Sequence, residues 1–286
     1  MSVPLPRRGL SVLAATAALG LLGTAPAAAH PHRIDYVNLG DSYSAAIGTG
    51  TVTGPPPGSG CPQGEGPDHV SALDARRRVE LLVNAACPGA TTDQVQTIAS
   101  SEPVAAALRE AELVTLTLGG NDVGWTDYLR ACSVQGGTTA PAGACDGLIS
   151  QAQARIDAAA VSAGETVRAL DEATCGTVVV LGYPHLFEGN EDTAYFSAAR
   201  ATQLNALTDE LNAALAGAVT DGTDDVIFVD VAERFAGHGV DAADPWIHFD
   251  PAAPEDPDNF HPNEAGYLGG YYSAFKSSVG LRHLGR

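Results

Sequence analysis

The chain has 286 residues, 45% of them hydrophobic and 17% charged, which excludes a disordered chain or a coiled coil and allows a large packed core. Fourteen Arg and a single Lys (Lys276) stand against 34 acids, giving a formal charge of −19. That charge repels phosphate backbones and anionic lipid surfaces, so nucleic acid and acidic membranes are poor partners for this chain.

The first 29 residues read as a secretory leader. Arg7 and Arg8 form a positive region, Leu10 to Gly23 an apolar run, and Ala27-Ala28-Ala29 a small-residue cleavage pattern. The apolar run falls short of the ~18–20 residues that a membrane span needs. Removal near Ala29 is expected to leave one domain over residues 30–286, secreted and without a membrane anchor. Apolar runs of strand length then alternate with helical patterns. Ile34 to Leu39, Val79 to Ala85, Leu113 to Leu118, Thr177 to Leu181 and Val226 to Val231 are nearly continuous in apolarity, as strands buried on both faces are. Asp93 to Arg109 (interrupted near Pro103), Leu148 to Glu172, Ala194 to Val219 and Pro262 to Val279 show helical spacing. The alternation predicts a three-layer α/β/α sandwich on a mostly parallel five-stranded sheet. Thr51 to Gly66 and Asp241 to Asp258 read as long surface loops.

Five cysteines fit an oxidising compartment. Sequential pairing joins Cys61 to Cys87 and Cys132 to Cys145, one of the three connectivities open to four cysteines. Each closed loop adds ~2–4 kcal/mol, mainly by restricting the unfolded chain. Cys175 is left over; beside the apolar run at Val178 it is expected as a buried free thiol.

In an open parallel sheet, ligands bind beyond the carboxyl ends of the strands. Gly40-Asp41-Ser42-Tyr43-Ser44 follows the first strand, Cys87-Pro88-Gly89-Ala90 the second, and Gly119-Gly120-Asn121-Asp122 the third; Asp258-Asn259-Phe260-His261-Pro262 precedes the last helix. One rim therefore gathers what acyl transfer to water requires. A serine hydroxyl is a weak nucleophile until a base takes its proton, and His261 is the candidate base for Ser42. Asp258 is the candidate acceptor for the second imidazole N–H. Main-chain N–H groups at Ser42 and Gly89, with the Asn121 amide, are candidate donors to the oxyanion. Asp41 and Asp122 read as acceptors that organise the loops.

These blocks resemble the SGNH hydrolases, also called the GDSL lipase/esterase family, and look most like its secreted actinobacterial lipases and phospholipases. The match lies in Val37-Asn38-Leu39-Gly40-Asp41-Ser42-Tyr43-Ser44, Ala86-Cys87-Pro88-Gly89-Ala90-Thr91, Thr115 to Gly124, and Asp258-x-x-His261-Pro262. The resemblance implies a flavodoxin-like fold, Ser42 as nucleophile, His261 as base, Asp258 as its orienter, and Ser42, Gly89 and Asn121 as oxyanion donors. Some actinobacterial members replace the acid by a backbone carbonyl; with Asp258 present, a Ser-His-Asp triad is expected here. Two departures are Ser44-Ala45, where these enzymes commonly carry S-A-G, and cysteines for two disulfides where secreted relatives often have three.

The expected activity is hydrolysis of carboxylic, mainly lipid, esters by a monomer, with a carbohydrate O-acetyl esterase or a phospholipase as alternatives within the class. A non-catalytic binding protein on the same scaffold would have no use for all five site residues. No cofactor is indicated, because neither a P-loop nor G-x-G-x-x-G after a strand occurs, and G-x-S-x-G is absent too. No metal site is expected: Asp250, Glu255 and Asp256 lack the spacing of a calcium loop. His185, His238 and His248 read as structural. Trp125, Tyr128 and Phe187 read as core, with Trp125 close enough to Asn121 to wall a pocket.

Overall fold

The computed structural model describes Met1 and residues 33–50, 60–134 and 141–281. The expected leader, with Arg7, Arg8 and Ala27 to Ala29, lies outside the described residues, as does 51–59 of the first long loop.

Five strands, β1 (Ile34–Asn38), β2 (Val79–Asn84), β3 (Leu113–Leu116), β4 (Thr177–Leu181) and β5 (Val226–Val229), form one parallel sheet in the order β2-β1-β3-β4-β5. All of β3 and Val178 to Leu181 of β4 are buried, which is why these segments read as unbroken apolar runs. Four strands end short of the apolar runs read in sequence, β1 and β2 by one residue and β3 and β5 by two. Leu39, Ala85 and Leu118 are buried but already belong to the loops that leave the sheet.

Between the strands lie α1 (His69–Asp74), α2 (Thr92–Ala99), α3 (Val104–Glu110), α4 (Gly120–Val123), α5 (Trp125–Cys132), α6 (Ala144–Ala173) and α7 (Ala198–Thr220). The local sequence starts several of them: Asp68 and Ser71 form a reciprocal capping box on α1, Thr91 and Gln94 one on α2, and the Ser197 hydroxyl accepts from Arg200 N at α7. The helical pattern of Asp93 to Arg109 divides in two because Pro103 cannot sit inside a helix; it caps α3 instead. On α6 the stripe Ala152, Ile156, Ala159, Ala163, Val167 and Leu170 is buried, and it faces α7, where Leu204, Leu211 and Leu215 are buried. Alanines let the two axes close: a Cβ on Gly164 would stand 2.9 Å from the Ala218 carbonyl. The last helical pattern resolves into a π-helical turn (Gly266–Tyr272) and α8 (Ser273–Ser278), packed with α1. The whole is an α/β/α sandwich.

Both sequential disulfides are present, Cys61–Cys87 and Cys132–Cys145. Cys175 departs from expectation. It is exposed, because the strand begins only at Thr177 and Cys175 lies in the turn that leads into it from α6.

Candidate active site

In the order β2-β1-β3-β4-β5 the chain reverses direction across the sheet between β1 and β3, and the carboxyl ends of those strands frame a crevice. Ser42 leaves β1 there and Asn121 leaves β3. The turn after β1 depends on Gly40. Its φ is +111°, and a Cβ would stand 2.4 Å from the Thr117 carbonyl oxygen, so only glycine lets β1 and the loop after β3 approach this closely.

A buried polar network fixes the two loops against each other. Thr117 Oγ1 donates to Asp41 Oδ1 at 2.6 Å, Tyr43 N to the same oxygen at 3.0 Å, and the Tyr183 hydroxyl to Asp41 Oδ2 at 2.5 Å. Burial pushes the Asp41 carboxyl above its usual pKa, and these three hydrogen bonds oppose that. Tyr183 in turn accepts the Gly120 N–H at 3.1 Å, so one tyrosine joins the Asp41 loop to the Asn121 loop. Asp122 accepts from Thr92 N and Oγ1, tying the same loop to α2. Both aspartates thus organise loops, as their positions beside Ser42 and Asn121 led us to expect. Ser44 is fully buried and receives the Thr117 N–H on its hydroxyl, so it is structural.

The structure brings Ser42 and His261 together, Oγ to Nε2 at 2.7 Å, from 219 positions apart. It does not bring the Asp258 carboxylate to the imidazole. His261 Nδ1 meets the main-chain carbonyl of Asn259 at 3.1 Å, while Asp258 Oδ1 accepts the Gly48 N–H at 3.0 Å. Phe260, between Asn259 and His261, has φ +62°, and this left-handed residue turns the chain tightly enough for a carbonyl two residues upstream to face the ring. A carbonyl only accepts. It therefore fixes the proton on Nδ1 and leaves the Nε2 lone pair toward the serine. Burial pushes the His261 pKa down to about 4, against the pull of the carbonyls of Asn259, Pro257 and Asp258.

Ser42, Gly89, Asn121 and His261 all line one cavity of about 770 Å³. Gly89 adopts φ +79°, and the Asn121 amide is anchored by one N–H to the Ala90 carbonyl at 3.0 Å. The walls are largely apolar: Trp125 and Leu129 from α5, Leu186, Phe196, Leu211 from α7, and Phe249. Trp125 stacks on the buried Tyr128 at 5.8 Å. Of the three aromatics weighed in sequence, Trp125 is thus a wall, whereas Tyr128 and Phe187 are core. Glu255 and Asp256 also line the cavity.

Three other described histidines have structural partners. His185 Nε2 meets Asp209 Oδ1 at 2.7 Å, His238 stacks on Trp246 at 3.8 Å, and the backbone of His248 brackets His261 by bonds to Phe260 N and His261 O. His69 is fully buried between Tyr267 and Tyr271, with neither ring nitrogen hydrogen-bonded, and burial lowers its pKa to about 4. The fold holds this ring neutral.

Comparison with known proteins shows the family. Residues 39–268 match the GDSL-like lipase/acylhydrolase family. The chain belongs to that family. It is a carboxylic ester hydrolase of the lipase/esterase kind. Among curated relatives it is similar to a lipase of Streptomyces rimosus, 32% identical over 94% of this chain and 96% of the relative. It is also similar to lipase 1 of Streptomyces coelicolor, 31% identical over 91% and 92%. Among solved structures it resembles the extracellular lipase of S. rimosus (TM-score 0.70, 27% identity, 86% of this chain and 100% of that one) and phospholipase A1 of Streptomyces albidoflavus (TM-score 0.73, 28% identity, 85% and 98%).

The GDSL block locates the nucleophile loop in sequence, but Tyr183, Phe196 and Leu211 carry no motif. Their one signal was position: Tyr183 follows β4 on the same rim, and the other two come from a connection and a helix whose path a strand pattern does not give.

Proposed function

We propose that the chain is a secreted esterase that cleaves long-chain acyl esters through an acyl-enzyme on Ser42. The observation that carries this reading is the 2.7 Å Ser42–His261 contact in the lining of a largely apolar-walled cavity.

In this reading His261 Nε2 takes the Ser42 hydroxyl proton as Oγ attacks the ester carbonyl carbon. The carbonyl π pair moves to oxygen, and the resulting oxyanion is met by main-chain N–H groups of Ser42 and Gly89 and by the second N–H of the Asn121 amide. The imidazolium is held by its Nδ1–H bond to Asn259 O. It then protonates the departing alcohol as the C–O bond breaks. Water repeats the sequence on the acyl-serine, with His261 again as base, and releases the acid. The site needs no carboxylate on the histidine; Asp258 serves by pinning Gly48 to the catalytic loop. Two disulfides support export, as does the leader-like start of the sequence.

The cavity supports a long acyl chain over an acetyl group, which would leave most of about 770 Å³ unfilled. Each methylene buried against Trp125, Leu129 or Leu211 is worth ~0.8 kcal/mol, up to about fourfold in kcat/KM. Along p-nitrophenyl acetate, butyrate, octanoate and palmitate, kcat/KM is expected to rise from the two-carbon ester to a maximum at eight carbons or beyond. Phosphatidylcholine and acetylated xylan complete the series. A preference for acetate and for acetylated xylan would replace this reading with an O-acetyl esterase.

A further inference from the structure

The residue after the nucleophile is a tyrosine whose two ends are both held. Its main-chain N–H donates to Asp41 Oδ1 at 3.0 Å, and its hydroxyl donates to the Phe260 carbonyl at 2.7 Å, across 217 positions of sequence. Between those ends its ring lies 5.1 Å from the His261 imidazole, tilted by 50°. The ring cannot shift away, because Tyr183 packs against it edge-on at 5.3 Å and Tyr271 at 6.2 Å, and only 9% of Tyr43 is exposed.

Phe260 is where the catalytic loop needs holding. Its φ of +62° is a conformation that costs an aromatic residue energy, and it persists only where neighbours enforce it. Its N–H is bonded to His248 O, and its carbonyl is the one that Tyr43 takes. That carbonyl begins the peptide unit leading into His261, and the residue before it supplies the carbonyl on Nδ1. A carboxylate on the imidazole would orient the ring from its own side chain. A main-chain carbonyl orients it only as well as the backbone is fixed.

From this we propose that Tyr43 is a positioning residue for His261. Its hydroxyl locks the left-handed turn at Phe260, and its ring backs the imidazole, so that the Asn259 carbonyl and Ser42 Oγ stay aligned on opposite ring nitrogens. The nucleophile and the base are thereby set by adjacent residues of one short segment. The inference rests on His261 acting as the base.

The test is Tyr43→Phe, which keeps the ring and deletes the hydroxyl, beside Tyr271→Phe, which likewise keeps its ring against Tyr43 and deletes a buried hydroxyl bonded to Gly182 O and not to the catalytic loop. Tyr43→Phe should lower kcat about ten- to hundredfold, as small misplacements of catalytic groups do, with KM changed less than about twofold. The rate at which a phosphonate ester labels Ser42 should fall in parallel, because labelling needs the same proton transfer but no acyl binding. Tyr271→Phe should leave kcat and labelling unchanged. Wild-type kcat in Tyr43→Phe overturns the proposal, as do equal losses in the two variants or a loss confined to KM. His261→Ala separates this from the reading beneath it: an active His261→Ala enzyme removes the base itself, whereas an inactive one beside a fully active Tyr43→Phe removes only the role given to Tyr43.

Discussion

Replacement of Ser42 by Ala is expected to lower kcat by about 10⁴-fold or more, with the fold intact. The hydroxyl makes one hydrogen bond, to His261, in a turn whose shape comes from Gly40, Asp41 and Thr117. In the proposed mechanism its loss therefore removes the bond-forming atom and little else. The residual rate, set by oxyanion donors and substrate binding, should stay above that of water. A phosphonate ester should attach to Ser42 alone, as read by peptide mass mapping. Ser44, two positions on, is sealed beneath Thr117 and should remain unlabelled. Label on Ser44 or any other serine would remove Ser42 from the mechanism.

His261→Ala should cost nearly as much, and Ser42→Ala with His261→Ala should be no slower than either alone, because the two act as one unit. With His261 as the proposed base, the same residue is expected to set the acid side of the rate profile. Only neutral imidazole accepts the serine proton, and burial pushes the His261 pKa down to about 4. The sign follows: protonation that would silence an ordinary histidine near 6.5 is deferred to lower pH, so kcat/KM should hold from neutrality down toward pH 4 and then fall. An acid limb at or above the ordinary histidine value would mean that a negative charge stabilises the imidazolium, as a carboxylate partner does.

Much of this site was legible because its parts leave the sheet as short blocks beside strand ends. Ser42 follows β1, Gly89 follows β2 and Asn121 follows β3, and in a parallel sheet consecutive strand ends share a rim. The five strands were legible for a related reason: burial on both faces leaves little room for polar residues. The role of Asp258 was not legible. The spacing Asp258-x-x-His261 fits a carboxylate on the ring as well as a carbonyl, and the choice is made by the backbone of Phe260, an aromatic residue whose left-handed conformation no pattern announces. Cys175 was misjudged through its nearness to β4, since burial begins with the strand and not with the turn before it. The cavity walls escaped for a third reason. Trp125 sits beside a motif, but Phe196, Leu211 and Phe249 reach the site from separate elements that only the folded chain brings together.

The turnover number of Asp258→Asn tests most directly how the base is held. The amide keeps a carbonyl oxygen able to accept the Gly48 N–H, so the contact that Asp258 makes survives while its charge is removed. With the Asn259 carbonyl on Nδ1, this variant should retain more than about a tenth of wild-type kcat at neutral pH, against the ~10⁴-fold loss that follows when the acid of a Ser-His-Asp triad becomes an amide. A loss of that larger size would contradict the account and return Asp258 to the imidazole.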